Sequence, residues 1–232
     1  MTIKYLAGNR VQGTRAERTS FGHTTSPTKD LTSFTGTTGY STSTNSITMN
    51  TGSNAWATTK IQSTITFTVG EAFSIECSPS ASGTTGFFGL GQGTLAVGAG
   101  TGQNMSNSMI FGMLIAGESK VIEYDGTSGG TLKNTQATFN AADVYKITVD
   151  VDGTVKYWRQ ASGTGVFNKE YTSAVKASGI YYFQGNHQAN ATGFTGIKYM
   201  NTEYTNETVF EETDTHKSYI WNATTKVWTE IT

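Results

Sequence analysis

The sequence predicts an all-β protein built as a two-sheet antiparallel β-sandwich. Three observations favour this fold class. Glycine provides 27 of the 232 residues and the chain is rich in threonine and serine, a composition that suits strands and tight turns. Short segments of alternating apolar and polar residues recur along the chain and are separated by glycine-rich turns. No long stretch follows the period of about 3.6 residues of an amphipathic helix.

The first clear strand lies at residues 60–69. Ile61 and Phe67 fall on one face of it, whereas Thr66 falls on the other, as in a half-buried strand. The segment at 108–115 is almost wholly apolar, which predicts burial on both faces. Further strands are predicted at residues 72–76, 86–90, 121–124, 167–172, 179–185 and 194–200.

The strongest local signal is a β-hairpin. A strand at 144–150 turns at Asp152-Gly153 into a second strand at 154–159. If Tyr157 faces the core, Lys156 and Trp158 project from the opposite face of the sheet. The predicted core consists of Ile61, Ile65, Phe67, Val69, Phe73, Ile75, Ile110, Tyr145, Ile147, Val149, Val155 and Tyr157.

Three regions are expected along the chain. We predict an extended arm with Thr-rich loops at residues 1–54 and the sandwich at residues 55–202. A C-terminal β-hairpin tail is predicted at residues 203–232. An isolated hairpin is only marginally stable in water, so its aromatic side chains need a surface to cover. That surface is either the sandwich of the same chain or a neighbouring subunit. If it is a neighbouring subunit, the assembly residues are Tyr219, Trp221 and Trp228.

The charge, the hydropathy and the cysteine content limit the classes of partner and the location that we expect for this chain. The net charge of -1, with scattered Lys and Arg, argues against nucleic-acid binding. No apolar stretch is long enough to cross a bilayer, and residues 1–10 lack the apolar part of a secretory signal, so we expect no membrane insertion and a virion or extracellular location. Cys77 is the single cysteine, which excludes an intrachain disulfide and favours a buried thiol.

The hairpin at 143–158, followed by Glu170-Tyr171-Thr172-Ser173 and Gly179-Ile180-Tyr181-Tyr182, resembles the concanavalin A-like lectin/glucanase (laminin-G-like) sandwich. The resemblance covers roughly residues 56–200. It implies a jelly-roll sandwich and, in its lectin members, carbohydrate binding. The glucanases of this fold use a strand bearing alternating Glu, Asp and Glu, and no such strand occurs here, so we expect a protein that is not an enzyme.

Both chain ends resemble another class of protein. The C-terminal segment 208–228 and the opening Lys4-Tyr5-Leu6-Ala7-Gly8-Asn9-Arg10 look like the ends of structural proteins of tailed phages and related environmental viruses. The resemblance implies a virion structural protein, such as a capsid, capsid-decorating or fibre-type subunit. Such a subunit would form homo-oligomers or contact other virion proteins.

The candidate ligand residues lie in two places. Trp158, beside Lys156, stacks on a sugar ring or on another subunit, or it packs under a loop of its own chain. His187 and Asn186 lie in a predicted polar loop that either hydrogen-bonds a glycan or is an ordinary turn. We expect no cofactor, since the three histidines lie in unrelated segments and Asp125, Asp150 and Asp152, the candidate calcium ligands, are explained by turns.

Turn positions also explain the carboxylates of Glu123 and of the pair Glu211-Glu212, which we expect to be solvated. Two functions remain for the chain. The first is a virion structural protein that self-assembles and displays a lectin-like sandwich. The alternative is a carbohydrate-binding module or cell-surface adhesin, with surface glycans as partners. A glycoside hydrolase is a third hypothesis, which lacks its carboxylate pair.

Overall fold

The structure is a computed structural model that describes residues 4–5, 10–15, 28–35, 39–50, 61–93, 109–124, 130–187, 192–201, 208–222 and 227–231. This part of the chain contains twenty strands, so the all-β prediction is confirmed. The strands are β1 (Lys4–Tyr5), β2 (Arg10–Gly13), β3 (Lys29–Asp30), β4 (Phe34–Thr35), β5 (Tyr40–Ser43), β6 (Ser46–Met49), β7 (Ile61–Thr68), β8 (Phe73–Pro79), β9 (Thr85–Gly91), β10 (Met109–Ala116), β11 (Glu118–Glu123), β12 (Thr131–Thr138), β13 (Val144–Val149), β14 (Thr154–Gln160), β15 (Phe167–Lys176), β16 (Ile180–His187), β17 (Gly193–Asn201), β18 (Val209–Glu212), β19 (Ser218–Asn222) and β20 (Val227–Ile231).

These strands form three sheets. The seven-stranded sheet has the order β12-β11-β10-β9-β16-β7-β4. The eight-stranded sheet has the order β15-β14-β13-β8-β17-β6-β5, with β3 also paired to β17. Together they enclose one apolar core and form the sandwich. The third sheet, which we call the terminal sheet, has the order β1-β2-β18-β19-β20.

The predicted hairpin is confirmed as β13 and β14. Tyr145 lies opposite Arg159 and Val149 lies opposite Val155, with every intervening residue in register. Gly153 closes the turn with φ of +81°, and a Cβ there would lie 2.4 Å from the carbonyl oxygen of Ala177. Only glycine meets both conditions without strain, which explains the Asp-Gly turn.

The predicted core is also correct in its choice of faces. Nine of the twelve predicted residues are buried, and Ile65, Val69 and Ile110 are half-buried and pack against the same core. Cys77 is fully buried in this core, as predicted. Strand β10 is buried on both faces, in agreement with its unbroken apolar run.

The sandwich begins earlier in the sequence than residue 55. Strands β3 to β6 belong to its two sheets, and Leu31, Tyr40, Ile47 and Met49 are buried in its core. The predicted arm at 1–54 is therefore corrected for residues 28–50. These strands are short and contribute isolated apolar residues within a Thr- and Ser-rich run, so the alternation signal is weak there.

The terminal sheet joins the two ends of the chain. Strand β2 runs parallel to β18, with Gln12 opposite Glu211 and Gly13 opposite Glu212. The predicted tail hairpin is present as the antiparallel pair β18 and β19, and β20 continues it. No helix among the described residues is long and apolar enough to span a membrane.

Candidate ligand-binding surfaces

The outer face of the eight-stranded sheet carries a row of charged residues that includes one tryptophan. Its members are Cα partners on successive strands, so their side chains project from the same face. We call it the Trp158 row, and it consists of Asp30, Lys198, Glu76, Lys146, Trp158 and Lys169.

Trp158 itself is half-buried and held in one orientation. Its Nε1 donates a hydrogen bond to Oγ1 of Thr148 at 2.9 Å. This bond fixes the plane of the indole, and the neighbouring strands place Lys146 on one side and Lys169 on the other. The prediction that Trp158 leaves the face opposite the core is correct, because Tyr157 next to it is fully buried.

Lys146 connects the row to a second aromatic ring. Its ammonium lies 2.6 Å from Oε2 of Glu76 and 4.2 Å from the ring centroid of Phe167. A charge-assisted contact and a cation–π contact therefore hold the same Nζ. The surface around Trp158 thus combines two aromatic rings with fixed polar groups.

Lys156, Asp150 and Asp152, the last two of which were weighed as calcium ligands and explained by a turn, all form ion pairs. Lys156 Nζ lies 2.6 Å from Asp150 Oδ2, and the aspartate side chain is almost completely buried. Asp152 pairs with Lys176 at 2.5 Å and accepts a hydrogen bond from the backbone N–H of Thr154. Among the described residues no group of three or more His, Cys, Asp and Glu side chains is placed to hold a metal ion, and Asp125 lies outside those residues.

The predicted glycan loop at His187 and Asn186 is corrected. Both residues belong to strand β16, and both are buried. His187 is 0% exposed, and its Nδ1 lies 2.8 Å from the hydroxyl oxygen of Tyr40. Burial lowers the pKa of His187 to about 3, so the imidazole is neutral at physiological pH. Neither side chain is available to a glycan at the surface.

Part of the outer face of the seven-stranded sheet is buried. Phe87, Met109, Leu114 and Ile122 form a second buried cluster there, separate from the main core. The alternation of β9, β10 and β11 places Phe87, Leu114 and Ile122 opposite the core residues of the same strands, and a register shift in β10 between Met109 and Phe111 brings Met109 to the same face. These four side chains are therefore not available to a ligand at the surface.

Two carboxylates expected in solvent are buried instead. Glu123 is 3% exposed inside the sandwich, where the hydroxyl of Tyr157 donates to its Oε1 at 3.1 Å. Burial raises the pKa of Glu123, although hydrogen bonds from Ser173 and Tyr157 and the charge of Lys133 act in the opposite direction. Glu212 is equally buried and accepts a short hydrogen bond from Oγ1 of Thr215.

The aromatic residues of the tail pack within the terminal sheet. Trp221 is 1% exposed, and its ring centroid lies 5.3 Å from that of Trp228. Trp228 also meets Phe210 edge to face, at 6.3 Å between centroids. The prediction that Trp221 is an assembly residue is therefore corrected, because residues of its own chain already cover it. Tyr219 and Trp228 remain half-buried.

No protein-family model matches the sequence, and no curated protein matches it. Among solved structures, the chain is similar to a legume lectin-like domain from Entamoeba histolytica, with a TM-score of 0.54 and 10% identity over 74% of this chain and 91% of that chain. It is also similar to the exoplasmic/lumenal domain of VIP36 in its Ca2+/Man-bound form, with a TM-score of 0.52 and 7% identity over 75% of this chain and 84% of that chain. The metal-free form of the same VIP36 domain gives a TM-score of 0.52 at 5% identity, over 77% and 85% of the two chains. These findings support the predicted concanavalin A-like lectin fold, whereas the resemblance of the chain ends to viral proteins stays a prediction.

Proposed function

We propose that this chain is a carbohydrate-binding domain, without catalytic activity, that acts outside the cell or on the surface of a particle. The likeness in fold to lectin domains supports this function, but fold alone does not determine function. The observation that carries the proposal is the Trp158 row, where a fixed, half-exposed indole lies among polar groups on the outer face of the sheet.

Such a surface suits a sugar for two reasons. The C–H groups on one face of a pyranose ring are apolar and pack on a flat aromatic side chain. The hydroxyl groups at the ring edge need donors and acceptors, which the Lys146–Glu76 pair and exposed Lys169 provide. Because Thr148 already orients the indole, binding costs little side-chain entropy.

The absence of catalysis is part of the same proposal. Most carboxylates of the described sandwich are engaged by cations, as in the pairs Asp143–Arg159, Asp150–Lys156 and Asp152–Lys176. Glycoside hydrolysis needs two carboxyl groups that flank one bond. Release of reducing ends from β-glucans by the purified chain would contradict the proposal.

The direct test is a glycan array with the full chain, followed by calorimetric titration of the best ligand. We expect Trp158→Ala to weaken binding at least about tenfold, which corresponds to about 1.4 kcal/mol. Val175→Ala is the matched control, since Val175 is exposed on the neighbouring strand outside the row. A chain that binds no glycan argues against the function, whereas equal binding by Trp158→Ala argues only against this site.

A second candidate function is a structural subunit of a virus particle. It is favoured by the parallel pairing of β2 and β18, which brings the two segments that resemble viral proteins into one sheet. Ile231, at the edge strand of that sheet, is 40% exposed and offers apolar surface for a neighbour. Light scattering of the eluting protein and negative-stain microscopy test this candidate, and deletion of residues 208–232 is expected to lower the order of assembly. A strict monomer would contradict it.

A further inference from the structure

The Trp158 row has a regular order of charge that is interrupted at the tryptophan. Its Cα partners run from Asp30 through Lys198, Glu76 and Lys146 to Trp158. Acidic and basic residues alternate up to that point, and opposite charges on neighbouring strands stabilise a sheet face. An acid is the residue that would continue this order after Lys146, and the indole of Trp158 stands in its place.

Beyond the indole, the row ends on a lysine without a counter-ion. Lys169, the Cα partner of Trp158 on β15, is exposed and forms no ion pair with any residue that the structure describes. Its neighbour in sequence, Glu170, interacts with the charge of Arg159. Arg159 leaves the face of β14 opposite Trp158, where it pairs with Asp143 at 2.6 Å. The row therefore has an excess positive charge beside the indole.

The other ammonium groups around Trp158 already have acidic partners. Lys146 Nζ lies 2.6 Å from Oε2 of Glu76, and Lys156 Nζ lies 2.6 Å from Oδ2 of Asp150. Both carboxylates are largely buried, so the fold holds these pairs in place. Among the described residues, the ammonium on β15 is therefore the one beside the indole that lacks a counter-ion.

The position of Glu76 shows where a negative group over Trp158 would lie. Lys198 and Lys146 flank Glu76 on the neighbouring strands. Lys146 and Lys169 flank Trp158 in the same way. Strands lie about 4.8 Å apart, so the Cα atoms of the two flanking lysines are separated by about 10 Å in both cases. A negative group held over the indole is therefore within reach of two ammonium groups.

We propose that the glycan bound by the Trp158 row is acidic, with a carboxylate on the sugar ring that stacks on the indole, as in a hexuronic acid. The apolar face of the ring packs on Trp158, and the carboxylate lies between Lys146 and Lys169, where it completes the alternation of charge. This inference rests on the proposed function, because it names the class of glycan that the same surface takes. A nucleic acid is not favoured, because its affinity comes from many lysine and arginine contacts to phosphate.

The test compares acidic trisaccharides with their own methyl esters. Homotrimers of galacturonic, mannuronic and glucuronic acid are titrated calorimetrically into the full chain at low ionic strength, each beside its ester. The ester keeps the ring hydroxyl groups and removes the charge. We expect at least one acid to bind at least about fivefold more tightly than its ester. The difference should shrink as sodium chloride is added, because salt screens exposed charges.

The variant Lys169→Gln separates charge from packing. It should lower the affinity for the best acid about threefold and leave the affinity for the ester unchanged, because only a charged contact is lost. Lys176→Gln is the matched control, since Lys176 is an exposed lysine at the other end of β15, where it pairs with Asp152. It changes the net charge equally and should leave both affinities unchanged. Trp158→Ala should weaken the acid and the ester alike.

Three results would overturn the inference and leave the proposed function standing. The first is a neutral glycan or ester that binds through Trp158 as tightly as every acid. The second is an acid whose affinity is the same in Lys169→Gln and the unaltered chain, or falls equally in Lys176→Gln. The third is tighter binding of oligothymidylate than of any acid, which would mean that the indole stacks on bases. If no glycan of either kind binds, the proposed function itself fails, and the inference fails with it.

Discussion

The sandwich and the terminal sheet both contain hairpins of neighbouring strands, but among the described strands only the terminal sheet contains a parallel pair. In the sandwich, hairpins such as β13 and β14 pair strands that are close in sequence. In the terminal sheet, residues 10–13 pair in parallel with residues 209–212. The difference shows that local alternation predicts the first kind of structure well, whereas long-range parallel pairing leaves little trace in a local pattern.

The two regions also differ in the size of their cores. The sandwich buries one contiguous cluster that includes the stacked rings of Phe67 and Phe73, with centroids 5.3 Å apart. The apolar interior of the terminal sheet centres on Phe210, Trp221 and Trp228. We therefore expect the terminal sheet to open at a lower free energy than the sandwich.

The largest expected effect is that of Phe73→Ala. Removal of this fully buried ring leaves a cavity beside Phe67 and should lower the free energy of unfolding of the sandwich by about 3–5 kcal/mol. Urea denaturation followed by circular dichroism measures the change. Thr66→Ala, on the exposed face of β7, is the control and should stay within about 0.5 kcal/mol of the unaltered chain. Equal effects of the two variants would mean that the core has been placed on the wrong face.

The variant Trp221→Ala tests whether the terminal sheet and the sandwich unfold independently. The variant loses a buried indole that packs on Trp228, so the terminal sheet should open while the sandwich stays folded. Hydrogen exchange should increase at residues 209–222 and remain slow at residues 144–160. A uniform increase along the chain would show instead that both regions unfold as one unit.

A smaller effect, with a defined pH dependence, is expected for Asp143→Asn in the sandwich. Burial raises the pKa of Asp143, but backbone hydrogen bonds from Asn140 and Ser162 and the Arg159 guanidinium outweigh it, so the net pKa is lowered. The ionised aspartate stabilises the folded chain above the pKa of the unfolded chain, and this contribution is lost as the pH falls through the folded pKa. The variant should cost about 1–3 kcal/mol at pH 7 and progressively less in acid. Thermal melting from pH 2 to pH 7 checks this, and a constant difference would contradict it.

The smallest expected effect is that of Glu123→Gln, and its dependence on pH is opposite in sign to that of Asp143→Asn. Because burial raises the pKa of Glu123, the protonated form stabilises the folded state at low pH, and that contribution is lost as the pH rises through the folded pKa. Glu123→Gln keeps an acceptor for the Tyr157 hydroxyl and removes the charge. Its melting temperature relative to that of the unaltered chain should therefore increase from pH 4 to pH 7. A relative decrease over that range would show that Glu123 is stabilised as the anion.

Much of the sandwich is predictable because one face of each long strand is apolar. The sequence does not predict β12, Thr131–Thr138, because this edge strand is polar throughout except for Leu132 and Ala137, and the Leu132 side chain is largely exposed. An edge strand that buries little apolar area has no alternation to detect. The short strands β3 to β6 are missed for a different reason, because each has two to four residues and an alternating pattern of that length is too short to detect.

The site residues were predicted unevenly. Trp158 could be placed on the outer face because its neighbours Val155 and Tyr157 define the inner one. His187 was misplaced because the polar run 184–188 resembles a loop, whereas in the structure its imidazole is buried against Tyr40 and Phe194. The packing of the two sheets decides which buried polar residues contact each other. A local sequence pattern carries no information about such contacts.

The pairing of the chain ends makes the sandwich an insertion. Strands β3 to β17 form a guest domain placed between the two halves of a host sheet, which consists of β1 and β2 on one side and β18 to β20 on the other. The ends of the guest are adjacent, since Lys198 on β17 lies opposite Asp30 on β3, at a spacing of about 4.8 Å between strands. Domain insertion is tolerated where the ends of the inserted domain lie close together. The terminal sheet is therefore suited to carry other domains in place of this sandwich.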